Sequence, residues 1–107
     1  MENSNSLSVL WDAGNLLHLS ERPERDISEN DVEEAVRDWN ALIQKGRFED
    51  GEQYFRLLGM TWKGRIIVVI FSERNGMLRP ATVYPANKRL RASYFKNLDS
   101  FNHEKEI

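Results

Sequence analysis

Gly64-Arg65-Ile66-Ile67-Val68-Val69-Ile70-Phe71-Ser72 places β-branched and apolar residues at consecutive positions, so both sides of a pleat are committed to carbon. A strand of this composition is covered on both faces or central in its sheet. Before it, Gln53-Tyr54-Phe55-Arg56-Leu57-Leu58-Gly59-Met60-Thr61 reads as a second strand. Trp62-Lys63-Gly64 joins the two, and a link that short demands antiparallel neighbours. After it, Met77-Leu78-Arg79-Pro80-Ala81-Thr82-Val83-Tyr84 is entered through Asn75-Gly76, whose tolerance of positive φ is a strong hairpin signal. Pro80 has no N–H to give a ladder, which predicts an edge strand or a bulge at that point. The stretch from Glu52 to Tyr84 is therefore a β-meander at the centre of the core.

The chain has 107 residues, 40% of them hydrophobic and 30% charged, a balance that supports one globular domain with an ordered core over about 7–98 and polar tails. With Cys 0 and only His18 and His103 as imidazoles, neither a disulfide framework nor a metal centre is expected, and no motif calls for a cofactor. The start is polar and the longest apolar run, Ile66 to Phe71, is six residues. A cytoplasmic protein is expected.

The net charge of −2 conceals a division at Gly51: residues 1–50 carry 12 acids against 5 bases, and residues 51–107 carry 10 bases against 5 acids. The second half is thus placed to meet a polyanion while the first repels one, unless the halves simply neutralise each other across the fold.

Around the meander, Leu7-Ser8-Val9-Leu10-Trp11 alternates as a short first strand ending at Asp12, an N-cap for a helix from Ala13 to about Ser20. His18 falls in that helix without a partner and reads as structural or surface. Glu21 to Asp26, with Pro23, is an exposed link. Ser28 and Asp31 form a capping-box-like start for a second helix. In it Val32, Ala35, Val36, Trp39, Leu42 and Ile43 recur at helical spacing and Gly46 stands just past the end, so this stripe should pack on the sheet with Trp39 buried. Arg47 to Gly51 reads as a loop. A last helix runs from Ala86 to Leu98 beyond Pro85, and Asn97 to Ile107 reads as a frayed end. Leu90, Tyr94 and Leu98 form its stripe, Lys88, Arg89 and Lys96 lie opposite, and Arg91 flanks the apolar side. The basic side suits phosphates, or equally the needs of solubility.

The order β, α, α, β, β, β, α and several residues together resemble the BrnT family, toxin components of bacterial type II toxin–antitoxin pairs. The resemblance covers roughly residues 8–95. At the front it rests on Trp11-Asp12-Ala13-Gly14-Asn15-Leu16-Leu17-His18-Leu19, Ile27-Ser28 and Val32-Glu33-Glu34-Ala35. In the meander it rests on Tyr54, Leu58-Gly59, Gly64-Arg65, Val68-Val69-Ile70-Phe71 and Arg79-Pro80-Ala81-Thr82, followed by Ala86, Arg91 and Tyr94. The family often carries Arg where Tyr84 stands and Glu where Leu90 stands.

The resemblance implies a compact α+β domain like that of the RelE toxins: a three- to four-stranded antiparallel sheet packed by N-terminal helices, with a C-terminal helix. It also implies a metal-independent endoribonuclease and a small DNA-binding antitoxin as partner. The RNA's own 2′-hydroxyl would attack the adjacent phosphate, which needs cations where negative charge develops and groups to move protons. Arg65 and Arg79 are the expected cations, projecting from one face of the sheet to flank a single phosphate. Their alternative role is ion pairing with Glu73, Glu52 or acids of the first half. Tyr84 is the expected neutral donor, and Lys88, Arg89, Arg91 and Lys96 are expected to hold the RNA backbone. A non-catalytic nucleic-acid- or protein-binding module on the same fold is the other reading.

Overall fold

The computed structural model describes residues 8–105, with the side chains of 8–98. Leu7 and the polar ends beyond these limits, where the first strand and the tails were expected to begin and finish, lie outside the described residues. The meander has the expected order: β2 (Glu52–Met60), β3 (Ile66–Arg74) and β4 (Met77–Pro85), all antiparallel. Asn75 and Gly76 both take positive φ, at 55° and 76°, the combination a two-residue hairpin turn requires. At Pro80 the register between β3 and β4 shifts, so the missing N–H coincides with a bulge.

A fourth strand precedes these three. Leu42–Glu49 forms β1, antiparallel to β2, giving a sheet of order β1-β2-β3-β4. This corrects the long second helix, because α2 spans Glu29–Val36 alone. Its capping box forms as expected, Ser28 and Asp31 exchanging backbone N–H to side-chain bonds at 3.0 and 3.2 Å. Past Val36, Asp38 accepts the Asn40 N–H in a side-chain turn at 3.0 Å, which ends the helix. Leu42 and Ile43 imitated helical spacing for a reason that belongs to strands. Leu42 packs on one face of the sheet and Ile43 on the other, so consecutive positions are apolar. Trp39 lies on the turn and is 74% exposed, against the expected burial.

The double covering read from β3 holds. Ile67, Val69 and Phe71 join Leu57, Leu78 and Val83 beneath Ile27, Val32, Ala35 and Val36, whereas Ile66 and Val68 join Leu58, Ala86 and Tyr94 on the opposite face. On the first face α2 comes so close that a Cβ at Gly59 would lie 2.3 Å from the Ala35 carbonyl oxygen. Only glycine allows that approach. On the second face α3 (Lys88–Lys105) covers part of the sheet, continuing as helix through the segment expected to fray. Asp38 ties these layers together, its carboxylate accepting the Met60 N–H at 2.9 Å and the Tyr94 hydroxyl at 2.5 Å.

The expected first strand is reduced to a strap. Val9 makes a parallel bridge with Leu78, and Leu10 N–H and Ser8 C=O bond Leu78 at 2.8 and 2.9 Å. Asp12 then caps α1 (Ala13–Ser20), exchanging bonds of 2.9 Å with Asn15 in both directions. The link to α2 contains a short 3₁₀ turn at Pro23–Arg25.

Candidate nucleic-acid interface

A hairpin pairs residues equidistant from its turn, and this decides the fate of the two arginines expected to share a phosphate. Arg79 stands three positions beyond Gly76 and pairs with Ser72, whereas Arg65 precedes β3 at its far end. Arg65 lies seven positions before Ser72, about 23 Å at roughly 3.3 Å per residue. The two guanidiniums are not brought together, which corrects the expectation that they flank one group. The distance from the turn was readable in the sequence.

Each is also occupied. Arg79 holds Asp12 in a two-pronged contact, Nε to Oδ2 at 2.9 Å and Nη2 to Oδ1 at 3.4 Å, fastening β4 to the strap. The Asn15 backbone N–H, and after it Arg79, hold the Asp12 carboxyl below its ordinary range. Arg65 donates from Nη1 to the Asp26 carbonyl at 2.5 Å and from Nη2 to the Arg25 carbonyl at 2.9 Å, closing the link between α1 and α2. At that link Asp26 takes a left-handed φ of 54°.

Tyr84 sits differently. It pairs with Val68, is half-buried on the face that α3 shares, and has the Arg25 guanidinium 5.9 Å from its ring centre. It helps to line an open groove on the part of the sheet that α3 leaves uncovered, bordered also by Gln44, Arg47, Tyr54, Arg56 and Ile70. Gln44, Arg56 and Ile70 form one cross-strand row, next to the row Leu42, Leu58, Val68 and Tyr84. Arg47 stacks over Tyr54 at 5.5 Å and pairs with Glu49 at 2.7 Å. Arg56 donates from Nη2 to the Gln44 side-chain oxygen. Its Nε is buried and has no partner among the described residues.

Lys88, Arg89, Arg91 and Lys96 are all exposed on α3, with Arg91 donating to the Ala86 carbonyl at 2.9 Å. Their setting contrasts with that of five other arginines. Arg22, Arg37, Arg47, Arg74 and Arg79 each have a carboxylate within 4 Å, whereas among the described residues none of the four α3 cations does, and neither does Arg56. Gln44, Arg47, Tyr54 and Arg56 were not singled out from the sequence. The alternation Tyr54, Arg56, Leu58 along β2 was the available signal that the first two share a face.

No protein-family model and no curated protein matches this chain. Among the described residues, no group of three or more His, Asp or Glu is placed to hold a metal ion, and no helix is long and apolar enough to cross a membrane. The chemistry on offer is that of guanidinium and ammonium groups beside tyrosines, an arrangement suited to a phosphate backbone and unstacked bases.

Proposed function

We infer that this protein is a BrnT-like toxin of a type II toxin–antitoxin pair, an endoribonuclease that binds RNA along the basic side of α3. The observation carrying this reading is the set of four α3 cations without a carboxylate partner among the described residues. Phosphates are the partners such a set suits, because they release condensed counterions on binding. Cleavage by the RNA's own 2′-hydroxyl needs a proton donor, and of Arg65, Arg79 and Tyr84 only Tyr84 borders the open groove. Arg65 and Arg79 serve the scaffold through the strap and the inter-helix link. A small DNA-binding antitoxin would silence the protein by covering the same cations.

A non-catalytic RNA-binding module is the second reading, favoured by the engagement of both arginines in structural contacts. A 3′-labelled RNA incubated with purified protein separates the two. A toxin yields discrete fragments with new 5′-hydroxyl ends, and Tyr84→Phe slows their appearance on the order of 10²-fold. Binding without fragments selects the module. Changing Lys88, Arg89 and Lys96 to Glu together should abolish binding and leave the fold intact; unchanged binding would remove α3 from the interface.

A further inference from the structure

The groove beside α3 contains a cation whose surroundings are incomplete. Arg56 lies in the middle of β2, half-buried, and its cross-strand neighbours on that face are Gln44 and Ile70, one neutral and one apolar. A guanidinium taken partly out of water is normally compensated by a carboxylate or by several acceptors. Here one amide oxygen meets Nη2, while the buried Nε–H meets no acceptor among the described residues. Nothing in the packing of the sheet calls for charge at this place, since position 70 opposite is filled by isoleucine. The guanidinium borders the groove short of acceptors, and a cation that cannot shed its proton is there the complement of an anion.

What borders the groove specifies the anion further. Tyr54 precedes Arg56 by two positions on the same strand face and Tyr84 stands in the next cross-strand row two strands away, so both phenol rings border the groove that Arg56 lines. Arg47 covers Tyr54 with a second guanidinium. Flat rings alternating with cations on an open sheet suit a single strand, whose bases are free to stack while its phosphates meet the charges.

We propose that this groove is a phosphodiester-binding subsite for single-stranded RNA, with Arg56 as the residue that grips the phosphate. The inference rests on the RNA-binding reading above and adds to α3 a second contact point on the sheet. The test uses the full chain, a fluorescein-labelled single-stranded RNA oligonucleotide, and inorganic phosphate as a separate probe. Arg56→Gln should weaken the oligonucleotide on the order of ten-fold, the loss expected for a charge-assisted bond, and lower the salt slope by about one. Its Tm should stay level or rise, because an uncompensated cation has gone. Arg56→Lys should keep the salt slope and lose part of the affinity, since an ammonium lacks the planar fork. If Arg56→Gln binds as the parent does while the α3 reversal abolishes binding, the RNA reading stands and the groove proposal is overturned. If the parent binds no RNA but inorganic phosphate raises its Tm and not that of Arg56→Gln, the RNA reading fails and the anion site remains. Neither RNA binding nor a phosphate shift, or a lower Tm in Arg56→Gln with affinity unchanged, would show that Arg56 is structural.

Discussion

The two faces of the sheet are built from neighbouring residues of the same strands and treated in opposite ways. The face beneath α1 and α2 is closed: Val32, Ala35 and Val36 seal it, Trp11 donates to Glu33 at 2.8 Å, and Arg37 pairs with the same glutamate. Arg79 finds Asp12, and Arg65 finds two carbonyls. The face beside α3 is finished only where Tyr94 and Leu90 lie over Leu58 and Val68; beyond them come Arg56, Tyr54 and Tyr84, followed on the helix by cations that have no carboxylate partner among the described residues. Charge on the closed face completes the fold, whereas on the open face Arg56 and the α3 cations have no carboxylate within 4 Å among the described residues. The contrast explains how one small domain keeps a core while displaying a basic surface.

The strongest way to break this comparison is to disturb the closed face. Gly59→Ala sets a methyl against the Ala35 carbonyl and should cost about 3 kcal/mol in urea unfolding as α2 is pushed off β2. A variant as stable as the parent would mean that α2 does not rest there. Next comes Tyr94→Phe, which removes the hydroxyl bound to Asp38 and should cost about 2 kcal/mol at neutral pH, in the range for a bond to a charged group. Burial and the Asp38 carboxylate both raise the Tyr94 pKa, so the folded state keeps its proton longer than the unfolded chain. That contribution is complete below the unfolded tyrosine value, about 10, and is lost as pH rises above it. Alkaline melts of the parent should therefore show a decline that Tyr94→Phe lacks, and parallel curves would contradict the contact.

Asp12 tests the strap with a smaller effect of opposite sign in pH. Its folded value is lowered, so its contribution is present above the ordinary carboxylate value, about 3.9, and lost as pH falls below it. Asn still caps a helix but cannot pair with Arg79, so Asp12→Asn should flatten the acid limb of the stability curve. An unaltered limb would show that the ion pair contributes nothing. The smallest change is expected for Trp39→Ala, within about 0.5 kcal/mol of the parent by thermal melting, because the ring is in water. A loss of several kcal/mol would restore Trp39 to a core.

What the amino-acid order disclosed follows from how local each signal was. The Asn75-Gly76 turn, the caps at Asp12 and Ser28 and the two-sided strand Ile66 to Phe71 are decided within a few residues, and each appears where it was expected. β1 was hidden because a strand covered on both faces at one end shows adjacent apolar residues, as a helix does. The groove is least local of all: Arg56 is an ordinary alternating arginine until Gln44 and Ile70, from two other strands, are seen to be its neighbours. That no carboxylate among the described residues meets it is a property of the assembled surface.

The strap bears on the order in which the protein can assemble. The hairpins of the sheet join neighbours in sequence, but Val9 meets Leu78 and Asp12 meets Arg79 across nearly seventy intervening residues. Contacts between such distant positions carry the largest loop-closure entropy, and they have no binding surface until β4 has formed. The strap, made before β4 on the ribosome, is therefore among the last segments to find its place. The helix that Asp12 caps waits with it, and a nascent chain interrupted before Leu78 lacks the β4 contacts that fasten the strap.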